Sequence, residues 1–537
     1  MSKTGTDQTG RLLRAAGTVG GMTLVSRVLG LVRDIAQSTL LGAGVAADAW
    51  YAAFVLPSTL RRLVGEGNIS AAFIPVLARQ SAEHGDERAR ELSSKFFTVV
   101  LVAASGLSVI GILGARGIVW VMYSGYAAVP GKFELTVDLT RAVFGYLLFI
   151  SLTAVLMGIL NARQRFAAAA FTPVLLNIAL IAAAFLAWGE LPETAVWVIA
   201  GGAMVGGVLQ FLFLVPFVRR FGVSLRPSWP LGDRGVSEIG RLMIPGVVGA
   251  SVVQINILVG RSLASDLPEG TMTSLYFASR VNELTLGVFA VAVATVVLPL
   301  MSQQGAAGDT AQLRGTLGFA LRQVTAVTLP AAVGIMVLRH DIIATLFEYG
   351  QFSAGATALT AAAVWGYAWG LVATAGVRIA VQSFYAMRDT RTPVIVATGS
   401  MVVNVVGCVL LRGPLENAGI ALANSIAAAF SLAVLLWLLR GKLGGLPLRE
   451  PLASFTRAGV AAAVMAAVLL GIRDSLIVAD SGVVEAWVRL FTVVLVGGMV
   501  YLAGLAVLRA PEIAELRQIG RRQAPATLVG GSTEEER

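Results

Sequence analysis

From Ser26 to Ala78 the chain reads SRVLGLVRDIAQSTLLGAGVAADAWYAAFVLPSTLRRLVGEGNISAAFIPVLA. Two apolar stretches, each long enough for a membrane-crossing helix of about 20 residues, meet at Gly42-Ala43-Gly44. They nevertheless carry Arg27, Arg33, Asp48, Arg61, Arg62 and Glu66. A charge inside a span costs at least a few kcal/mol at the bilayer centre, so such charges turn toward a partner or a wet cavity. This stretch therefore reads as a transmembrane helix pair built around a charged interior.

The rest of the chain agrees. Of 537 residues, 56% are apolar and only 13% charged, with a mean hydropathy of +0.78. A soluble protein carries roughly 25% charged residues, so too few polar groups remain to cover globular surfaces of this size. Apolar windows fall near 14–42, 47–78, 93–121, 135–160, 166–188, 193–218, 237–265, 271–302, 313–338, 356–386, 391–411, 417–439, 455–473 and 486–509. The expected fold is an all-α polytopic membrane protein of about 14 transmembrane helices. One cysteine, Cys408, precludes an internal disulfide, and with only His84 and His340 beside it no zinc site or other metal centre is expected. The net charge of +10 is scattered in short clusters between apolar runs, which speaks for membrane topology and against nucleic acid as a partner. No cleavable signal peptide is evident, because the first apolar run far exceeds an h-region.

Basic residues alternate between loops. One set holds Arg79, Arg88, Arg90 and Lys95, then Arg163 and Arg165, then Arg219, Arg220, Arg226 and Arg234, then Arg388, then Arg440, Lys442 and Arg449. The other set carries GELPET (Gly189–Thr194), SDLPEG (Ser265–Gly270) and RDSLIVADSG (Arg473–Gly482). The positive-inside rule then places both termini in the cytoplasm of a multi-pass plasma-membrane protein.

A weak internal repeat is visible. ARQRFAAAAFTPVLLN (Ala162–Asn177) resembles AMRDTRTPVIVATGSMVVN (Ala386–Asn404), and FIPVLARQ (Phe73–Gln80) resembles VLPLMSQQ (Val297–Gln304). Two pseudo-symmetric six-helix lobes, 1–225 and 226–450, with an extra helix pair at 451–510 and a cytoplasmic tail at 511–537, account for it. Such repeats place a substrate site between lobes near the midplane.

The interior charges have a common depth. At 1.5 Å per residue, Arg27 lies roughly 22 Å and Arg33 roughly 14 Å below the outer end of the first helix, Arg61 roughly 20 Å below the start of the second, and Arg280 roughly 14 Å into the eighth. Guanidinium groups facing water suit a di-anion, because their planar fork pairs phosphate oxygens bidentately and stays charged when partly desolvated. Pyrophosphate fits best. Asp48, Glu66 and Glu283 are the expected charge partners, holding the arginines or exchanging with them. Arg27 and Arg33 share one face only if the helix bends, for which Gly30 is the candidate; Gly65, Gly67, Pro75 and Pro299 are further hinge candidates. Structural alternatives stay open: Arg27 and Arg33 pairing with Asp34 or Asp48, Arg61 and Arg62 snorkelling at a helix end, and Arg280 pairing locally with Glu283.

At these residues the chain resembles the MurJ/MviN lipid II flippases of the multidrug/oligosaccharidyl-lipid/polysaccharide exporter superfamily. The resemblance is carried by SRVLGLVRD with Gly42–Ala78, and by NARQRFAAAAFTPVLLN, YFASRVNELTLGVFAVAVATVVLPLMS, LFEYGQFSAGAT and FYAMRDTRTPV. It implies movement of lipid II, the undecaprenyl-pyrophosphate-linked peptidoglycan precursor, from inner to outer leaflet by alternating access. It also implies substrate-binding arginines at Arg27, Arg33, Arg61 and Arg280, acidic partners at Asp48, Glu66 and Glu283, and a groove for the polyprenyl tail formed by the last helix pair with the C-lobe. The chain departs from the family at Val55 and Ser279, where some members carry a lysine and an aspartate. Asn404 is followed by Cys408 where the sodium site of some members has a carboxylate. No cofactor is expected; coupling to the membrane potential or to an ion is. A flippase for another polyprenyl-linked glycan, or a non-transporting scaffold recruiting cell-wall synthesis proteins, are the competing readings. An enzyme is disfavoured, because His340 stands alone where catalysis would need carboxylates or histidines near the interface, and a cation antiporter because its cavity should be acidic or aromatic.

Overall fold

The computed structural model describes residues 4–64, 68–230, 232–446, 449–476 and 482–511. Among them every regular element is helical: α1 (Thr4–Leu41), α2 (Val45–Val64), α3 (Asn68–Leu113), α4 (Ala115–Met122), α5 (Lys132–Phe144), α6 (Tyr146–Ala162), α7 (Phe166–Leu186), α8 (Pro192–Arg219), α9 (Arg234–Leu263), α10 (Thr271–Ala306), α11 (Thr310–Phe347), α12 (Ala354–Ala368), α13 (Leu371–Ala386), α14 (Arg391–Lys442), α15 (Arg449–Leu476) and α16 (Val483–Val507), with two short 3₁₀ turns. The apolar windows read from the sequence all fall on these helices. Nine described helices are long and apolar enough to cross a membrane, or ten if α12 and α13, bent by 44° at their junction, form one span.

The differences from the sequence reading have local causes. The end of the second window, from Asn68, joins the third in α3, which bends at Gly85, where φ is 83°; without a Cβ, glycine reaches this region at little cost. The eleventh and twelfth windows join in α14, which breaks at Glu416 with φ 48°. Pro75 and Pro299, both proposed as hinges, lie inside α3 and α10, and the departures from helical geometry occur elsewhere. Gly30 lies in an unbroken α1. Gly65, Glu66 and Gly67, and the tail beyond Pro511, lie outside the described residues.

The chain divides into two compact units. The first comprises Met1–Arg280, Leu346–Gly366 and Ala397–Ala427; the second comprises Val281–Thr345, Tyr367–Val396 and Ala428–Arg537. Lipid is as apolar as leucine, so helices in a membrane associate through close packing, which small side chains permit. In the first unit, Gly202 and Gly206, one turn apart on α8, admit Ala183 and Leu176 of α7, while Gly207 admits the ring of Tyr146 on α6. A core of Phe73, Phe96, Phe97, Leu156, Ile159 and Leu214 ties α3, α6 and α8 together. In the second unit α15 and α16 pack through Gly497 against Leu469 and Gly504 against Ala461, and Gly376 of α13 lies against Leu432 of α14.

Candidate functional site

Within the first unit, Arg33, Asp34, Asp48 and Arg280 of α1, α2 and α10 form two clusters. In one, Arg33 is buried on α1 and bonded on every side. Its Nε and one terminal nitrogen donate to Asp34 Oδ1 at 3.0 and 2.6 Å, the other terminal nitrogen donates to Asn177 Oδ1 of α7 at 3.1 Å, and Tyr276 of α10 accepts at 3.2 Å. Arg280, one turn further along α10, donates to the same Tyr276 hydroxyl at 3.3 and 3.2 Å. Its guanidinium lies 5.1 Å from the tyrosine ring centroid and its Nε 3.6 Å from Asp34 Oδ2. Asp34 is thus shared by two arginines from the two halves of the sequence, and the Tyr276 hydroxyl completes the link by donating to Asp34 Oδ1 at 3.2 Å. Tyr276 is itself fixed by stacking on Tyr51 of α2, with ring centroids 4.1 Å apart. The cluster thus gathers two guanidinium groups on one carboxylate in a span where charge is expensive.

The second cluster surrounds Asp48. Its side chain is 1% exposed. It accepts from Lys132 Nζ of α5 at 2.7 Å, from the backbone N–H groups of Gly270 and Thr273 at 2.9 Å each, and from the Thr273 hydroxyl at 2.7 Å. The Lys132 ammonium sits 4.3 Å from the Tyr126 ring centroid. Asp48 of α2 therefore caps the first turn of α10, where a negative charge complements the free amides and the helix dipole. The expectation that Asp48 holds an arginine is corrected: its cationic partner is Lys132, because α5 brings that ammonium beside the carboxylate.

The remaining candidates are spread out. Arg27 is exposed on α1 and forms no ion pair among the described residues, whereas Arg33 is buried. Six residues separate them by about 120° around a straight helix, and α1 stays unbroken, so they occupy different faces. Arg61 is half-buried in the last turn of α2. Glu283 is exposed on α10, in the second unit. The structure thus brings Arg33 and Arg280 together, and not all four arginines around one point.

Sequence reasoning passed over Asn177, Tyr276 and Lys132. The lysine had a signal, being one of four in the chain. Asn177 had another, because it closes the repeated Thr-Pro-Val segment. Its amide donates to the Ser26 carbonyl of α1 at 2.9 Å, and Asn404, at the end of the segment that resembles it, donates to Asn256 of α9 at 2.9 Å. A glycine, Gly30 or Gly260, faces each asparagine.

The sequence pattern of the family described as "Lipid II flippase MurJ" matches residues 37–490. Similar proteins include a probable lipid II flippase MurJ of Vibrio cholerae, 36% identical over 432 residues and covering 79% of this chain and 82% of that one. The lipid II flippase MurJ of Burkholderia cenocepacia is 35% identical, covering 78% and 82%, and a probable lipid II flippase MurJ of Bdellovibrio bacteriovorus is 30% identical, covering 95% and 97%. A solved structure titled "Lipid II flippase MurJ, inward closed conformation" superimposes with a TM-score of 0.76 at 26% identity, over 92% of this chain and 99% of that one. An inward-facing multidrug transporter of the MATE family shares the fold alone, with a TM-score of 0.68 at 16% identity over 80% of this chain and 98% of its own.

Proposed function

The chain belongs to the lipid II flippase MurJ family and is a multi-pass membrane transporter of lipid II, and we propose that Arg33 and Arg280 seat the pyrophosphate of that lipid. The observation that carries this reading is the sharing of Asp34 by two arginines from the two halves of the sequence. Asp34 acts as a resident stand-in anion. Pyrophosphate offers more oxygens and more charge than one carboxylate, so it displaces Asp34 and Tyr276 from the guanidinium forks. Arg27 and Arg61 meet the incoming head group, and the polyprenyl tail remains in lipid beside α15 and α16.

Transport proceeds by alternating access between lobes 1–225 and 226–450, from the cytoplasmic leaflet outward, with both termini cytoplasmic and no covalent step. Ligand binding drives closure only insofar as the occluded state holds the pyrophosphate more tightly than the open one. Asp48 with Lys132 fastens α2 and α5 to the start of α10, and its loosening and reforming accompany the cycle. Movement of the charged Arg33–Asp34–Arg280 cluster through the field couples the cycle to the membrane potential, since one charge moved through 100 mV is worth about 2.3 kcal/mol. Cell-wall synthesis proteins are its functional partners.

The test depletes the protein from its host and measures whether newly made lipid II is cleaved by an enzyme added outside the cell. Wild type restores cleavage, and Arg33→Ala and Arg280→Ala do not. Rescue by both variants at normal abundance would remove the arginine pair from the mechanism, and unchanged cleavage on depletion would assign the chain another polyprenyl-linked glycan or a scaffold role.

A further inference from the structure

At the basic end of the first unit a groove of about 540 Å³ opens between the α6–α7 turn, the first turn of α7 and the end of α8. Arg165 and Arg220 line it together with Leu160, Phe166, Phe217 and Phe221. Several basic residues at this end are neutralised: Arg79 by Glu238, Arg88 and Lys95 by Asp233 and Glu91, and Arg163 by Asp86. Arg165 and Arg220 have no carboxylate partner among the described residues, although Arg220 lies 5.9 Å from the Phe217 ring centroid.

The internal repeat shows what is missing. The α6–α7 and α13–α14 turns have the same backbone geometry: Arg165 N donates to Leu160 O at 2.8 Å and Asp389 N donates to Phe384 O at 2.9 Å, and the preceding residues, Gln164 and Arg388, have φ 58° and 61°. In the second half, Asp389 meets Lys442 at the end of α14. In the first half Arg165 takes the place of Asp389 in the turn, and Arg220 stands just past the end of α8, two cations with aromatic and aliphatic walls beside them. No carboxylate among the described residues supplies an anion there, and the apolar wall suits one that carries hydrocarbon.

We propose that this groove binds an anionic phospholipid of the surrounding leaflet, its phosphate between Arg165 and Arg220 and an acyl chain along Leu160, Phe217 and Phe221. Guanidinium forks match phosphate oxygens, and their weak hydration favours the pairing at a membrane surface. The site is separate from the Arg33–Asp34–Arg280 cluster.

The probe is dioctanoyl phosphatidylglycerol titrated into the purified full chain, read by melting temperature. It produces a saturable rise that dioctanoyl phosphatidylcholine and inorganic phosphate do not. Arg165→Gln/Arg220→Gln weakens the apparent Kd at least about tenfold, while Arg219→Gln/Arg226→Gln, an equal loss of charge outside the groove, leaves it unchanged. An equal rise with phosphatidylcholine, a rise with phosphate alone, or equal weakening by both double variants overturns the proposal. Should the groove variant fail to fold, a phosphatidylglycerol with a photoreactive acyl chain is cross-linked to the wild-type protein: labelling around Phe217–Phe221 supports the site, and labelling only elsewhere overturns it.

Discussion

Asp34 is the residue on which the interior charge balance turns. Asp34→Ala removes the carboxylate that Arg33 and Arg280 share, and breaking a buried pair in this way costs about 3–5 kcal/mol; the loss is read as a lower melting temperature of the purified protein together with lost rescue of depleted cells. Tyr276→Phe is milder, because stacking on Tyr51 survives and only the hydroxyl bridging Asp34 and the two arginines is lost. It costs about 1–2 kcal/mol and lowers transport without loss of abundance. At the second cluster, Lys132→Met strands the Asp48 carboxylate, whereas Lys132→Met with Asp48→Asn removes both charges. The double variant melts above the Lys132 single variant, because an uncompensated buried charge is worse than a neutral pair.

At the scale of the element, two joints inside α14 and before it carry testable consequences. Glu416 interrupts α14 at φ 48°, ψ −127°, a region that favours glycine. Since its side chain is exposed, Glu416→Gly raises stability by about 1 kcal/mol, measured by thermal melting. Before α14, Asp389 accepts from Thr392 N at 3.0 Å and Thr392 Oγ1 at 2.6 Å and pairs with Lys442. Burial pushes this carboxyl up, but the bonds from Lys442 and Thr392 prevail and bring it down to about 2. A group held below its unfolded value stabilises the fold above that value and loses the contribution as the pH falls from about 4 toward about 2. Asp389→Asn therefore lowers stability by about 1–2 kcal/mol at pH 7 and matches wild type near pH 2. Asp233, which burial likewise pushes up, is kept below the ordinary carboxylate range by Lys95, Val236 and Arg88, so its contribution has the same sign.

At the scale of the whole molecule, the transport cycle requires contacts that form in one state and part in another. The end of α1 meets the segment after α11 through Gln351 N donating to Thr39 O at 2.8 Å and through close approaches at Gly42 and Gly350. A Thr39→Cys/Gln351→Cys disulfide fastens that junction, and its oxidation stops outward appearance of lipid II while reduction restores it. Transport that continues with the disulfide formed would show that this junction stays closed throughout the cycle.

The sequence by itself determined the class of fold, the placement of the apolar helices and two of the interior cations, Arg33 and Arg280. These are local properties: a run of about 20 apolar residues makes a span wherever it occurs, and an arginine inside one is conspicuous because its cost is large. The repeat was legible for the same reason, since Thr-Pro-Val entering a helix recurs in linear order. Partner choice was not legible. Asp34 joins Arg33 to Arg280 only because α1 and α10 meet, Asp48 takes Lys132 because α5 lies beside α2, and Asn177, Tyr276 and Thr273 are ordinary polar residues until packing aims them. Spacing set Arg27 and Arg33 on different faces of a straight helix, but did not reveal that α1 stays unbroken or that α3 bends at Gly85. Tertiary structure decided these, because a hydrogen bond or ion pair depends on distances of a few ångströms between segments separated by up to hundreds of residues, which no linear period encodes.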